Sequence, residues 1–298
     1  MERRNYNPMN DYLFKFVFGR EERKRITLSF LNAVLGREGV DELQDITFID
    51  RDIEPQFAED KLSRLDLYGV ASDGSRINIE VQLVNLQHME KRTLYYWARM
   101  YQSIRRGDSY QKLDRAITIN LLNFAMLPQE KPHTVYGLYD IQSGHRLTDD
   151  LEIHFIEIPK FQVKSIKELK RLERWMAYFS NKLSEEEMEE LAMSETAIRE
   201  AMQAEHVFMQ DEIERWQYEQ REKAIRDYIS GMRSSQREGM KRGMEEGLKQ
   251  GLKQGIEKTS LQNLKSLMKN MNLTAGQAME ILQIPAADQE RYTKLLHQ

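Results

Sequence analysis

The stretch "RLDLYGVASDGSRINIEVQL", residues 64–83, places Asp66, Glu80 and Gln82 in two apolar-alternating runs on either side of Asp73-Gly74. Such runs read as the arms of a β-hairpin. Side chains alternate between the faces of a strand, so Asp66 shares a face with Tyr68, and Glu80 shares one with Asn78 and Gln82. Whether these faces coincide depends on the turn. A two-residue Asp73-Gly74 loop pairs 66 with 81 and sends the acids to opposite faces, whereas a three-residue loop from Asp73 to Ser75 pairs 66 with 82 and gathers Asp66, Glu80 and Gln82 on one surface.

Two carboxylates brought that close repel unless a cation sits between them, and magnesium is suited to the place because it takes few hard oxygen ligands and completes its octahedron with water. A metal so held can activate water and neutralise charge developing on a phosphodiester. A hairpin with one wet face is the structural alternative. Other chemistries have little support. The chain has no cysteine, which removes disulfides, thiolate metal sites and cysteine nucleophiles. Its six histidines form no H-E-x-x-H or similar pair, and no Walker A loop, dinucleotide-binding glycine fingerprint or G-x-S-x-G elbow occurs.

The surrounding pattern predicts the scaffold. Residues 11–36 carry apolar positions at helical spacing, broken at Gly19 and stopped by Gly36, and read as two helices. "DITFIDRDI" at 45–53 reads as a strand, and the segment from Leu86 to Arg106 as a helix. "RAITINLLNF", "TVYGLYDI" and "LEIHFIEIP" follow as further strands. From about residue 165 charged residues become frequent, glycine is absent until Gly231, and the helical period persists. The expected organisation is therefore an α/β core of mixed sheet and flanking helices over 1–164, a helical region over 165–235, and a tail over 236–298.

In that tail "GMKRGMEEGLKQGLKQG" sets glycine at 239, 243, 247, 251 and 255, each followed by Met240, Met244, Leu248, Leu252 or Ile256. Each helical glycine costs about 1 kcal/mol relative to alanine, so the stripe predicts either close approach of another surface, read as self-association into a homo-oligomer, or a polar segment that frays. Thr274 and Pro285 open short helices beyond it, a cap or a small helix-turn-helix-like DNA reader. The net charge of −4 gives no global attraction for nucleic acid, which leaves a local patch. From Glu90 to Arg115, Lys91, Arg92, Arg99, Arg105, Arg106, Lys112 and Arg115 outnumber the acids, and Arg92, Tyr95, Tyr96 and Arg99 are candidate DNA contacts or sheet-packing residues. No apolar signal stretch or bilayer-length run is present, and the expectation is a cytoplasmic protein that does not enter membranes.

The combination of "DYLFKFVFG", "KLSRLDLYG", "INIEVQL", "KRTLYYWARMYQSIRRGDSY", "AITINLLNF" and the glycine-every-fourth repeat resembles the PD-(D/E)XK nuclease superfamily, and more narrowly its transposase-like bacterial branch, the Rpn family of recombination-promoting nucleases. The resemblance implies a restriction-endonuclease-like core and cleavage of DNA dependent on Mg²⁺ (or Mn²⁺), in recombination, transposon-like DNA movement or action against foreign DNA, among which the residues do not choose. It assigns Asp66 and Glu80 as metal ligands and Asp66, Glu80 and Gln82 as the catalytic set, with Asp11 matching a first-helix acid. No proline precedes Asp66, and Gln82 stands where the superfamily usually has lysine, as is common in this branch. An amide orients a water without supplying positive charge, so a substitute cation is expected from Lys61, Arg92 or Arg99. A nuclease-like scaffold that has lost turnover and binds DNA or protein through its helical tail is the alternative.

Overall fold

The computed structural model describes residues 6–49, 52–53, 63–64, 66–85, 88–101 and 109–296. The chain divides into two compact units, one through Ile225 and one from Arg226. The first unit therefore extends well past the composition change near residue 165.

Helix α1 (Asp11–Phe18) starts at Asn10, whose side-chain oxygen accepts from the N–H groups of Tyr12 and Leu13 at 3.1 and 3.3 Å. Helix α2 (Lys24–Leu35) ends at Gly36, which adopts φ +63° and so closes the helix in the left-handed region. The predicted strand at 45–53 is divided. β1 (Ile46–Phe48) joins the main sheet, while β2 (Asp52–Ile53) pairs with β3 (Ser63–Arg64).

The hairpin is β4 (Leu67–Ala71) and β5 (Arg76–Gln82), followed by α3 (Met89–Tyr101), β6 (Ala116–Leu122), β7 (His133–Tyr139) and β8 (Arg146–Glu157). The sheet order is β1-β4-β5-β6-β8-β7. β5, β6 and β8 run parallel at its centre, and antiparallel strands flank them. Every residue of β6 is buried, as a central parallel strand covered on both faces requires.

Leu67, Ile77, Ile79, Val81, Ile117, Ile119 and Leu121 point to one face. There they join α1, α2, α4 (Arg171–Ser180), α5 (Glu185–Ser194) and α6 (Thr196–Gln210) in the main core. Phe14, Phe18, Phe30, Trp175 and Phe179 form its aromatic centre, with Phe14 and Phe18 stacked at 4.5 Å. Helices α4 to α6 bury apolar faces in the same core as α1 and α2, which is why they belong to the same unit as the sheet. The opposite face of the sheet carries Tyr68, Asn78, Glu80, Thr118 and Asn120 and is covered by α3.

Helix α7 (Glu212–Met271) begins in the first unit. In the second unit α8 (Ala275–Ile281) and α9 (Ala286–Leu296) enclose a small core of Leu264, Ala278, Met279, Ile284 and Tyr292. Thr274 caps α8 reciprocally with Gln277. The helix continues unbroken through the five-glycine stripe, where a Cβ at any of those glycines would meet nothing within 4 Å. The neighbouring Met240, Met244, Leu248, Leu252 and Ile256 are exposed.

Candidate active site

The turn decides the site. Gly74 N–H donates to Ala71 O and Ala71 N–H to Ser75 O, both at 2.9 Å, and Gly74 sits at φ +83°. This is a three-residue Ser72-Asp73-Gly74 loop with glycine in the left-handed position, one residue earlier than the three-residue loop anticipated from the sequence. The pairs are Leu67 with Ile79 and Tyr68 with Asn78; Asp66 lies in the bend just before β4, one step beyond the ladder, where continuing the register would set it across from Glu80 rather than Gln82 or Val81. The parity is that of a shared face. Asp66 and Glu80 consequently stand side by side, and the N–H of Asp66 supports the Glu80 carboxylate.

Glu80 is 1% exposed. Its Oε2 accepts from Arg92 Nη2 at 2.9 Å, and its Oε1 accepts from Asn78 Nδ2 at 3.3 Å. The second Arg92 nitrogen, Nη1, donates to Gln82 Oε1 at 3.3 Å. Asp66 keeps an edge open to solvent while protein packs densely around it, and its Oδ2 accepts from Val81 N–H at 2.8 Å. Behind the acids Thr93 Oγ1 donates to Asn120 Oδ1 at 3.0 Å. Among the described residues, Asn78 Oδ1 and Thr118 Oγ1 are buried without a hydrogen-bond partner.

Both acids are held in their protonated direction. Burial pushes Asp66 up to about 6, with the N–H of Val81 opposing and the charge of Asp11 adding. Burial pushes Glu80 up to about 8, the charge of Asp66 adds to it, and Arg92 only partly offsets the two. A buried pair with this excess of negative potential is a fitting place for a hard dication, and every candidate donor is oxygen. Among the described residues no three His, Cys, Asp or Glu side chains group as a ligand set. Two carboxylates with water and substrate oxygens would have to suffice, as they do for magnesium in phosphate-handling sites.

The remaining sequence candidates separate. Asp11 lies close enough to raise Asp66 and is itself paired with Arg221 from α7. Lys61 lies outside the described residues. Arg92 is turned into the acid site and packs over Tyr96 at 5.3 Å. Tyr96 is 3% exposed and packs with Tyr68, Met100 and Ala116 against the sheet. Tyr95 is exposed, with Arg99 over its ring at 5.9 Å. Of the basic run, Arg105 and Arg106 lie outside the described residues, while Arg115 pairs with Glu152 and Arg92 with Glu80.

Sequence spacing also missed a histidine pair. His133 Nε2 and His154 Nδ1 meet at 2.9 Å across β7 and β8, and His154 Nε2 contacts Glu152 at 2.8 Å. His133 is pushed down to about 4 by burial and by His154. Antiparallel pairing brings these residues together, so no local motif announces them.

A mixed sheet with flanking helices, bearing one acid on a central strand and a second just before its antiparallel neighbour, defines a restriction-endonuclease-like core. A model of the PD-(D/E)XK nuclease family transposases matches residues 8–235, and the chain belongs to that family. No match was found among curated proteins or solved structures. Among the described residues no helix is long and apolar enough to cross a membrane.

Proposed function

We propose that this protein is a divalent-metal-dependent DNA endonuclease that hydrolyses phosphodiester bonds with low sequence specificity, in service of recombination or transposon-like DNA movement in the cytoplasm. The observation that carries the reading is the buried Glu80 with Asp66 beside it, bonded to the N–H of Val81, in a chain of this nuclease family. Asp66 and Glu80 would hold Mg²⁺ or Mn²⁺, which supplies charge neutralisation at the phosphate and a lowered pKa for a bound water.

The protein's own groups do the rest. Asn78 and Arg92 fix the two Glu80 oxygens. Gln82 holds the attacking water through the second lone pair of the amide oxygen that Arg92 contacts. Arg92 is the cation that stands in for the missing lysine, a planar donor that matches phosphate geometry. Tyr95 and Arg99 on the exposed face of α3 contact the DNA backbone, where phosphate contacts position without reading sequence. The exposed glycine and apolar stripe of α7 is the surface for self-association.

The test is cleavage of supercoiled plasmid with and without Mg²⁺ by wild type and Asp66→Ala. Metal-dependent nicking by wild type alone supports the proposal. Nicking by both proteins alike, or by neither, removes it.

A further inference from the structure

Helix α3 connects two neighbouring parallel strands, β5 and β6, and covers the sheet face that carries Glu80. Two side-chain bonds fasten it to β6. Thr93 Oγ1 donates to Asn120 Oδ1 at 3.0 Å, and one turn further along the helix Trp97 Nε1 donates to the carbonyl oxygen of Ala116 at 2.9 Å. Asn120 is the cross-strand neighbour of Glu80, and its Nδ2 donates to the carbonyl oxygen of His154 on β8 at 3.1 Å. Thr93 directly follows Arg92, whose Nη2 and Nη1 reach Glu80 Oε2 at 2.9 Å and Gln82 Oε1 at 3.3 Å. A chain of bonds therefore runs from the centre of the sheet through Asn120 and Thr93 to the turn of helix from which Arg92 extends.

Packing alone does not call for polar groups here. On the other face of the same strands Ile77, Ile79, Ile117 and Ile119 form an apolar surface. Beneath α3, by contrast, Asn78, Thr93, Thr118 and Asn120 are at most 1% exposed. Burying amides and hydroxyls costs stability where their bonds are incomplete, and among the described residues Asn78 Oδ1 and Thr118 Oγ1 have no partner. What a bond adds and apolar contact lacks is direction. Hydrophobic burial tolerates sliding of one surface over another, whereas a hydrogen bond holds two atoms at one separation. Arg92 needs that restraint, because its side chain is 30% exposed and its planar fork meets two acceptors on β5 only from one position of the helix.

Resting on the nuclease reading above, we infer that Thr93, clasped by Asn120, is a positioning residue of this site: it fixes α3 along β6 so that Arg92 presents its guanidinium to Glu80, to Gln82 and to the phosphate of the substrate. Thr93 touches no substrate and acts through Arg92. Holding the helix in register before DNA arrives preorganises the cation, so less freedom is lost on binding.

The experiment is a double-mutant cycle on the affinity of the full chain for a short DNA duplex, read by fluorescence anisotropy in EDTA, where a metal-dependent nuclease does not cut. Arg92→Gln should weaken binding several-fold. Thr93→Val should weaken it in the wild-type background and add no further loss in the Arg92→Gln background, because its effect passes through that side chain. Thr93→Ser keeps the hydroxyl and should restore affinity, and Asn120→Ala breaks the same bond from the strand side and should repeat the Thr93→Val pattern. Thr118→Val is the matched control, the same exchange at a buried hydroxyl with no bond to lose, and should leave affinity unchanged. Equal losses from Thr93→Val in both backgrounds, equal losses from Thr93→Val and Thr118→Val, or no loss from Arg92→Gln or Thr93→Val would overturn the inference. Failure of the plasmid test would sink the nuclease reading while this cycle still reported on Thr93 and Arg92.

Discussion

If the acid pair receives a hard dication, it must release a proton to do so, because only carboxylates are ligands. Burial and mutual repulsion raise the metal-free pair, to about 6 and about 8 for its two steps. Between those values the pair carries one proton. Metal binding in that window therefore displaces about one proton, and affinity should rise about tenfold per pH unit, or about a hundredfold from pH 6 to pH 8, and then level off. Calorimetric titration with Mn²⁺ at pH 6, 7 and 8, in buffers of different ionisation heat, counts the protons directly. Asp66→Asn removes the neighbouring charge that helps to raise Glu80, and Glu80→Gln removes the proton itself. Affinity that is flat from pH 6 to pH 8, or binding without proton release, would refute the reasoning.

The same shift sets the stability of the metal-free protein. An acid whose folded pKa lies above its unfolded value keeps its proton longer in the folded state, so stability should fall as pH rises from about 4.5 towards about 8. Glu80→Gln should flatten that decline in thermal melts, and a decline of wild-type size in the variant would contradict it. For the tail, Gly247→Ala should make an isolated helix about 1 kcal/mol more stable but should lower the mass seen by light scattering if the stripe is an interface. Removal of residues 236–298 should lower the mass per chain assembly in the same way, and unchanged association would exclude the stripe.

Much of this architecture is legible in the residues themselves. Gly19 and Gly36 mark the ends of α1 and α2, and the strand runs after α3 fall where apolar β-branched residues cluster. The shared face of Asp66 and Glu80 follows from odd loop length alone. The register does not, because it depends on which residue takes the left-handed position, and Gly74 rather than Ser75 closes the loop. Of two adjacent tyrosines with the same local chemistry, Tyr96 faces the sheet and Tyr95 the solvent, a matter of helix phase set by tertiary packing. The split of 45–53 is equally remote from local propensity, since β1 pairs with β4 and β2 with β3. The Asp11–Arg221 contact spans almost the whole first unit, and charge spacing cannot reveal a pair that only helix docking creates.

The central claim is that Asp66 and Glu80 jointly bind one hard dication, and a crystal soaked in Mn²⁺ tests it most directly. The expected result is an anomalous difference peak within ligand distance of both carboxylates, about 2 Å from an oxygen of each for a small hard cation. A peak elsewhere with none between these two side chains, or Asp66 and Glu80 projecting from opposite faces of the sheet, would contradict it.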